Sequence, residues 1–224
     1  MAGGELDFWT THGSCALDAG PSEAVLTPHA AKYLALLDEI DPAAVRIVDK
    51  NPFNFFRLGL LRRALPASRI VHVRRTPIDN ALSLYTTYLS ARCNFFFGNP
   101  EDLLFYYGIY VRMMDHWRAV LPPERFLEID YEALVEDREA QTRRLVAFCG
   151  IDWDDRCLRP EQNDRVVATA SFRQVRQAVY RGSIGRWRNY AFWLGPLLRL
   201  APLAEAQPGY AAEDARRGSG ERSA

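Results

Sequence analysis

Three short stretches carry residues able to act on an anion. The first is Lys50, in Asp49-Lys50-Asn51-Pro52, at the end of the apolar run Val45 to Val48. Only Lys32 and Lys50 are lysine; every other basic side chain apart from histidine is arginine. An ammonium is a compact point charge and a guanidinium a planar fork. A lysine kept here suits charge growing on one oxyanion, and it suits equally a helix cap or a partner for Asp49. The second stretch is Arg74-Arg75, which ends the apolar run Arg69 to Val73, followed by Thr76-Pro77 and a helical pattern through Ser83. The third is Tyr180-Arg181-Gly182-Ser183-Ile184-Gly185-Arg186-Trp187-Arg188. Glycine lets a backbone approach a phosphate closely, and arginine grips it bidentately. The first two stretches place a cation where a strand gives way to a helix. Ligands of α/β sheets bind at the carboxyl ends of strands, and helix N-termini there add N–H groups and a positive dipole end. The chemistry indicated is recognition of a phosphate or sulfate ester. Solvated arginines at a strand end, and a surface turn anchored by Trp187, remain the alternatives.

The elements that must position these residues follow from caps and periodicity. Thr27-Pro28 predicts a helix to about Ile40, with Tyr33, Leu34, Leu36 and Leu37 on its buried side. Helices are predicted over 54–65, from Pro77, and from Asn99-Pro100 to about Leu121. The aromatic residues of that last helix, Phe105, Tyr106, Tyr107, Tyr110 and Trp117, read as core packing. Residues 125–131 read as a third strand, and 132–149 as a helix stopped by Gly150. Residues 151–167 are irregular; short helical pieces are expected over 172–180 and 184–190, and a last helix over 192–204. Before residue 27 only Phe8-Trp9 stands out as an apolar anchor. Strands alternating with helices predict an α/β fold, three-layer α/β/α around a parallel sheet. One domain is expected over 1–206, with a disordered polar tail over 207–224.

Composition narrows the classes. A formal net charge of zero argues against broad electrostatic binding to nucleic acid. Cys15, Cys93, Cys149 and Cys157 form no CxxC and read as reduced thiols. His12, His29, His72 and His116 are scattered, His72 reads as a strand residue in the core, and no acidic cluster suggests a metal. The N-terminus has no signal-peptide pattern, and the apolar stretch 192–204 is too short to span a bilayer. A soluble, cytoplasmic protein is expected.

The motifs DKNPFNFFRLG, RRTPIDNALS, EIDYEALVED and QVRQAVYRGSIGRWRNY, in this order, resemble the sulfotransferases. They look most like bacterial members related to tyrosylprotein sulfotransferases, and the likeness runs from Gly4 to Pro202. The resemblance implies a P-loop-kinase-like core and a sulfuryl donor, 3'-phosphoadenosine-5'-phosphosulfate, used without a metal. It implies that Arg75 and Ser83 hold the 3'-phosphate, Tyr131 contacts adenine, and Arg181 and Gly182 close over the 3'-phosphate. Lys50 matches the lysine beside the leaving 5'-phosphate, and Glu5 matches the catalytic base. The acceptor implied is a hydroxyl on a peptide tyrosine, a glycan or a small molecule. The chain departs from the family at one place. The family carries a strand, a loop of the form Pro-Arg-Ser-Gly-Thr-Thr and a helix just upstream of Gly-Glu-Leu, where this sequence reads Met-Ala-Gly-Gly-Glu-Leu. The expectation is therefore a core without its first strand and phosphate loop, self-associating through an uncovered sheet edge. The rival expectation is a non-catalytic protein that binds 3'-phosphoadenosine nucleotides.

Overall fold

The computed structural model describes residues 2–18, 20–87, 97–163 and 179–205. In chain order the elements are β1 (Ala2–Gly4), α1 (Phe8–Asp18), α2 (Glu23–Ile40), β2 (Val48–Asp49), a 3-10 segment (Pro52–Arg57) and α3 (Leu58–Ala64). There follow β3 (Ile70–Arg74), α4 (Pro77–Thr86), α5 (Pro100–Val120), β4 (Phe126–Asp130), α6 (Tyr131–Glu136) and α7 (Arg138–Cys149). Short 3-10 segments (Asp155–Leu158, Pro160–Gln162, Arg186–Trp193, Gly195–Leu200) and α8 (Ala201–Glu205) complete it. The tail expected over 207–224 and residues 172–178 of the helix expected over 172–180 lie outside the described residues.

Two compact units share these elements: Met1–Ile70 with Tyr110–Phe126, and Val71–Ile109 with Leu127–Ala224. In the first, Trp9, Leu26, Tyr33 and Leu60 form the buried cluster, with Leu6, Phe8, Leu37 and Leu61 packed against it. Leu26, Tyr33 and Leu37 fall on one face of α2 at spacings of seven and four. Leu34 turns about 100° away from that face and is 50% exposed, contrary to the sequence expectation. The helix also starts a turn early, after Ser22, with Pro28 inside it. Val25 and Leu26 N–H groups already close on the Ser22 carbonyl, so Thr27 is interior and not a cap.

In the second unit, Ile78, Ala81 and Leu82 of α4 are buried with Leu127 and Ile129 of β4, Ile184, and Leu194, Leu197 and Leu200. The spacing of three in the last group is the period of the 3-10 segment that carries two of them. Along α5, Leu103 and Met114 are buried, but Phe105 is 70% exposed. Phe105 lies about 200° from Leu103 at roughly 100° per residue and points outward; Tyr106, Tyr107, Tyr110 and Trp117 are half-buried, short of the core packing expected of them. The helix expected over 132–149 is two helices. Asp137 breaks it and caps the second, its side chain accepting the Ala140 N–H at 3.3 Å. Gly150 closes that helix in the left-handed region, φ 64°, as its sequence position predicts.

Among the described residues the strands form two two-stranded sheets, β1 with β2 and β3 with β4. β1 and β2 are parallel, Ala2 facing Val48 and Gly4 facing Asp49. Across β3 and β4, His72 meets Glu128, Arg74 meets Asp130, and the Thr76 N–H meets Glu132, each pair 56 residues apart. A constant difference is the register of strands running the same way. The expected parallel pairing is therefore present, divided between two short sheets, and Val48 and Val73 are each 56% exposed on them.

Candidate functional site

The first unit brings Lys50 to Glu5. Parallel pairing of β1 and β2 continues one bond beyond the strands, the Lys50 N–H donating to the Gly4 carbonyl at 2.8 Å. Asp49 then fastens the Gly4-Glu5-Leu6 turn. It accepts the Leu6 N–H at 3.2 Å and the Tyr33 hydroxyl at 2.8 Å. With both backbones held, the Lys50 ammonium and the Glu5 carboxylate form an ion pair on the solvent side. Burial lowers the Lys50 pKa below its ordinary value. Burial also raises that of Asp49, against the bonds from Tyr33 and Leu6. Tyr33 is pushed above the ordinary phenol range, first by burial and then by the Asp49 charge and its hydrogen bond to it. Tyr33 thus stays a donor and Asp49 its acceptor.

The second unit gathers the other residues at the exits of β3 and β4. Successive side chains of a strand point to opposite faces, so adjacent Arg74 and Arg75 separate. Arg74 turns to Asp130, its Nε and Nη2 on the two carboxylate oxygens, the second at 3.1 Å. It is a structural ion pair. Arg75 lies over the Tyr131 ring, 5.1 Å from its centroid, and donates Nη2 to the Ser183 carbonyl at 2.7 Å. The Arg75 Nε is buried with no acceptor. Neither arginine is the freely solvated charge that the sequence left open.

Pro77 opens α4 as expected, with Thr76 before it. The Thr76 N–H is taken at 2.9 Å by the buried Glu132. Asp79, in the first turn of α4, is 1% exposed and faces the late loop, residues 181–188. Its Oδ2 accepts the Gly185 N–H at 2.6 Å and its Oδ1 the Trp187 N–H at 2.9 Å. Burial raises the Asp79 pKa; the Trp187 and Gly185 bonds and the Arg75 charge oppose the rise, and Glu132 adds to it. Ser83 stands one turn beyond Asp79 on the same side of α4 and is half-buried. Arg181 and Gly182 lie exposed in the turn before Ser183. The structure therefore joins Arg75, Tyr131 and the late turn directly, and puts Ser83 on the α4 face that receives that turn. Sequence reasoning missed Asp79 and Glu132. An acid in a first helical turn is common for dipole reasons alone, so nothing marked Asp79, and Glu132 needed the β3–β4 register to be seen. Trp187, offered as the anchor of a surface turn, ties the loop down through its backbone N–H.

Among the described residues no group of three or more His, Cys, Asp or Glu side chains is placed to hold a metal. No described helix is long and apolar enough to cross a membrane.

Residues 9–155 match the Sulfotransferase family. The chain belongs to that family. Lys50, Arg75, Ser83 and Tyr131 fall inside the matched span; Glu5, Arg181 and Gly182 fall outside it. An uncharacterized protein of Aquifex aeolicus is 34% identical over 181 residues, covering 80% of this chain and 24% of its own length. The omega-hydroxy-beta-dihydromenaquinone-9 sulfotransferase of Mycobacterium tuberculosis is 28% identical over 134 residues, covering 57% of this chain and 34% of its own. The chain thus spans about a quarter to a third of the length of these curated relatives. The sulfotransferase domain of the curacin biosynthetic pathway superposes with a TM-score of 0.60 at 20% identity, covering 89% of this chain and 78% of that one. The sulfotransferase domain of the Synechococcus PCC 7002 olefin synthase gives 0.56 at 21% identity, with 80% and 65% covered. At such identities the likeness establishes the fold, the P-loop-kinase-like α/β fold of sulfotransferase domains.

Proposed function

We propose that this sulfotransferase-family chain binds 3'-phosphoadenosine-5'-phosphosulfate and moves its sulfuryl group to a hydroxyl acceptor. The observation that carries the reading is the cluster at Arg75: a guanidinium over the Tyr131 ring, bonded to the late turn, with a buried Nε still lacking an acceptor. A phosphate oxygen supplies what that donor lacks. Arg75 and Ser83 take the 3'-phosphate, Tyr131 the adenine, and Arg181 and Gly182 close the turn. The acceptor oxygen attacks sulfur, and the bond from sulfur to the bridging 5'-phosphate oxygen breaks. The electron pair leaves with the phosphate, and the hydroxyl proton passes to Glu5. Lys50 balances the charge growing on the leaving oxygen. At about 4 Å and an effective dielectric near 20 a unit pair is worth roughly 4 kcal/mol, less where water reaches it. Even half of that is a factor of about thirty in rate. The omega-hydroxy compound for which the mycobacterial relative is named supports a hydroxyl acceptor; peptide tyrosine, glycan and small-molecule hydroxyls fit the same chemistry.

A second reading is nucleotide binding without transfer. It is favoured by the Glu5 carboxylate that already neutralises Lys50. Calorimetry and a labelled-donor transfer assay separate the two. Adenosine 3',5'-bisphosphate should bind better than ATP, and ATP binding as tight or tighter sinks both readings. Lys50→Ala should cut transfer far more than bisphosphate affinity, with little rescue by Lys50→Arg and no effect from Lys32→Ala. Bisphosphate binding with no transfer to any hydroxyl acceptor leaves the second reading standing.

A further inference from the structure

Asp79 does work that α4 itself does not need. Its two oxygens go to Gly185 and Trp187, and Arg75 adds the Ser183 carbonyl. Alternate backbone groups of the late loop, at 183, 185 and 187, are thus tied to two side chains four positions apart at the head of α4. The chain turns sharply between these bonds, with Gly185 at φ 66° and Ile184 buried. Two N–H donors aimed at one side chain call for a group that only accepts, and among the uncharged or charged side chains of this size only a carboxylate does so with both atoms. The site keeps that carboxylate buried although Glu132 stands close enough to oppose its charge, with Arg75 and Arg186 as the balancing cations.

We infer that Asp79 is a positioning residue, which clamps the late turn onto the head of α4 and so sets the Arg181-Gly182 backbone beside the Arg75 guanidinium at the anion site. The inference rests on the reading of that site as one for a 3'-phosphate. The clamp makes the turn a preformed wall of the site instead of a segment ordered by the nucleotide.

Asp79→Asn is nearly isosteric but turns an NH2 toward one of the two N–H groups, so one tether is lost. Amide exchange across 183–188 should speed up by roughly tenfold or more, as expected for one hydrogen bond to a charged acceptor. Affinity for adenosine 3',5'-bisphosphate should fall by about the same factor, while affinity for 5'-AMP, which has no 3'-phosphate, holds within about twofold. A merely structural Asp79 would lower both affinities together, and that result overturns the proposal. So does unchanged exchange, or faster exchange with unchanged bisphosphate affinity. Should the variant fail to fold, exchange in the unaltered chain decides: Gly185 and Trp187 amides must be slow, and fast exchange there refutes the clamp. A chain that binds neither nucleotide removes the 3'-phosphate reading, and the exchange result then decides the clamp alone.

Discussion

Replacing Arg75 by alanine should separate stability from binding. In the unliganded chain the substitution removes a charged donor bond to the Ser183 carbonyl and a stack on Tyr131. These are worth about 1.5–3 and about 0.5–1 kcal/mol. It also removes a buried Nε with no acceptor, a defect that costs about 1–3 kcal/mol. The terms nearly cancel, so unfolding in urea should report a net loss of about 1 kcal/mol or less. On a bound 3'-phosphate there is no such offset. The Nε is then satisfied, and its loss, together with the fork geometry, should weaken adenosine 3',5'-bisphosphate by about 1.5–3 kcal/mol, roughly tenfold to somewhat over a hundredfold. Calorimetry of the two proteins against the bisphosphate and against 5'-AMP provides the comparison, and 5'-AMP should be nearly unaffected. Arg75→Lys keeps the charge without the fork and should recover less than half of the lost binding energy. A stability loss above about 3 kcal/mol, with both nucleotides weakened alike, would refute the reasoning and make Arg75 a strut for the late loop.

Gly59→Ala in α3 should destabilise the chain by about 0.5–2 kcal/mol in chemical unfolding, because the added Cβ meets the Trp117 ring at 3.0 and 3.2 Å, and overpacking outweighs the gain in helix propensity. A more stable variant would show that Trp117 yields freely, despite its Nε1–H bond to the Phe55 carbonyl at 2.7 Å. Asp49 carries a folded pKa above its ordinary 3.8, burial being the largest cause. Its contribution to stability is therefore complete below that value and is lost as pH rises through the raised one. The advantage of the unaltered chain over Asp49→Asn should accordingly shrink with rising pH across the acid range; an advantage that grows would mean the Tyr33 and Leu6 bonds outweigh burial. With Val48 and Val73 more than half exposed on two-stranded sheets, the purified chain should associate through its strand edges, and a sharp monomer in size-exclusion chromatography at high concentration would contradict this.

What could be read from the sequence was whatever a local rule determines. Pro77 after Thr76, Pro100 after Asn99 and Gly150 past a helix each end or start an element where expected, because proline and glycine act on their own backbone. The sequence offered Asp49 as a partner for Lys50; its actual partner, Glu5, could not be read locally, because that pairing depends on a strand contact spanning 45 residues. Local rules misled where tertiary packing chose between two acceptable caps, as at Ser22 against Thr27. They failed where one residue interrupts a good pattern, as Asp137 does in the helix expected over 132–149. Leu34 and Phe105 are core residues by type, but phase along the helix turns them outward.

The candidate site itself is a consequence of register more than of any motif. Arg74 with Asp130, Arg75 with Tyr131, and Thr76 with Glu132 share one separation along the chain. A parallel ladder that fixes the first pair therefore fixes the other two. The motif Arg-Arg-Thr-Pro and the motif Ile-Asp-Tyr-Glu each look like a strand end with charges. Laid side by side at that separation they become an ion pair that locks the sheet, a guanidinium on an aromatic face, and a carboxylate capping a backbone N–H. A slip by one residue would send every one of these side chains to the opposite face, so the pairs His72–Glu128 and Arg74–Asp130 help to build the candidate site through register alone. The apparently redundant second arginine is explained in the same way. Arg74 holds the register that leaves Arg75 free to turn toward Tyr131 and the late loop.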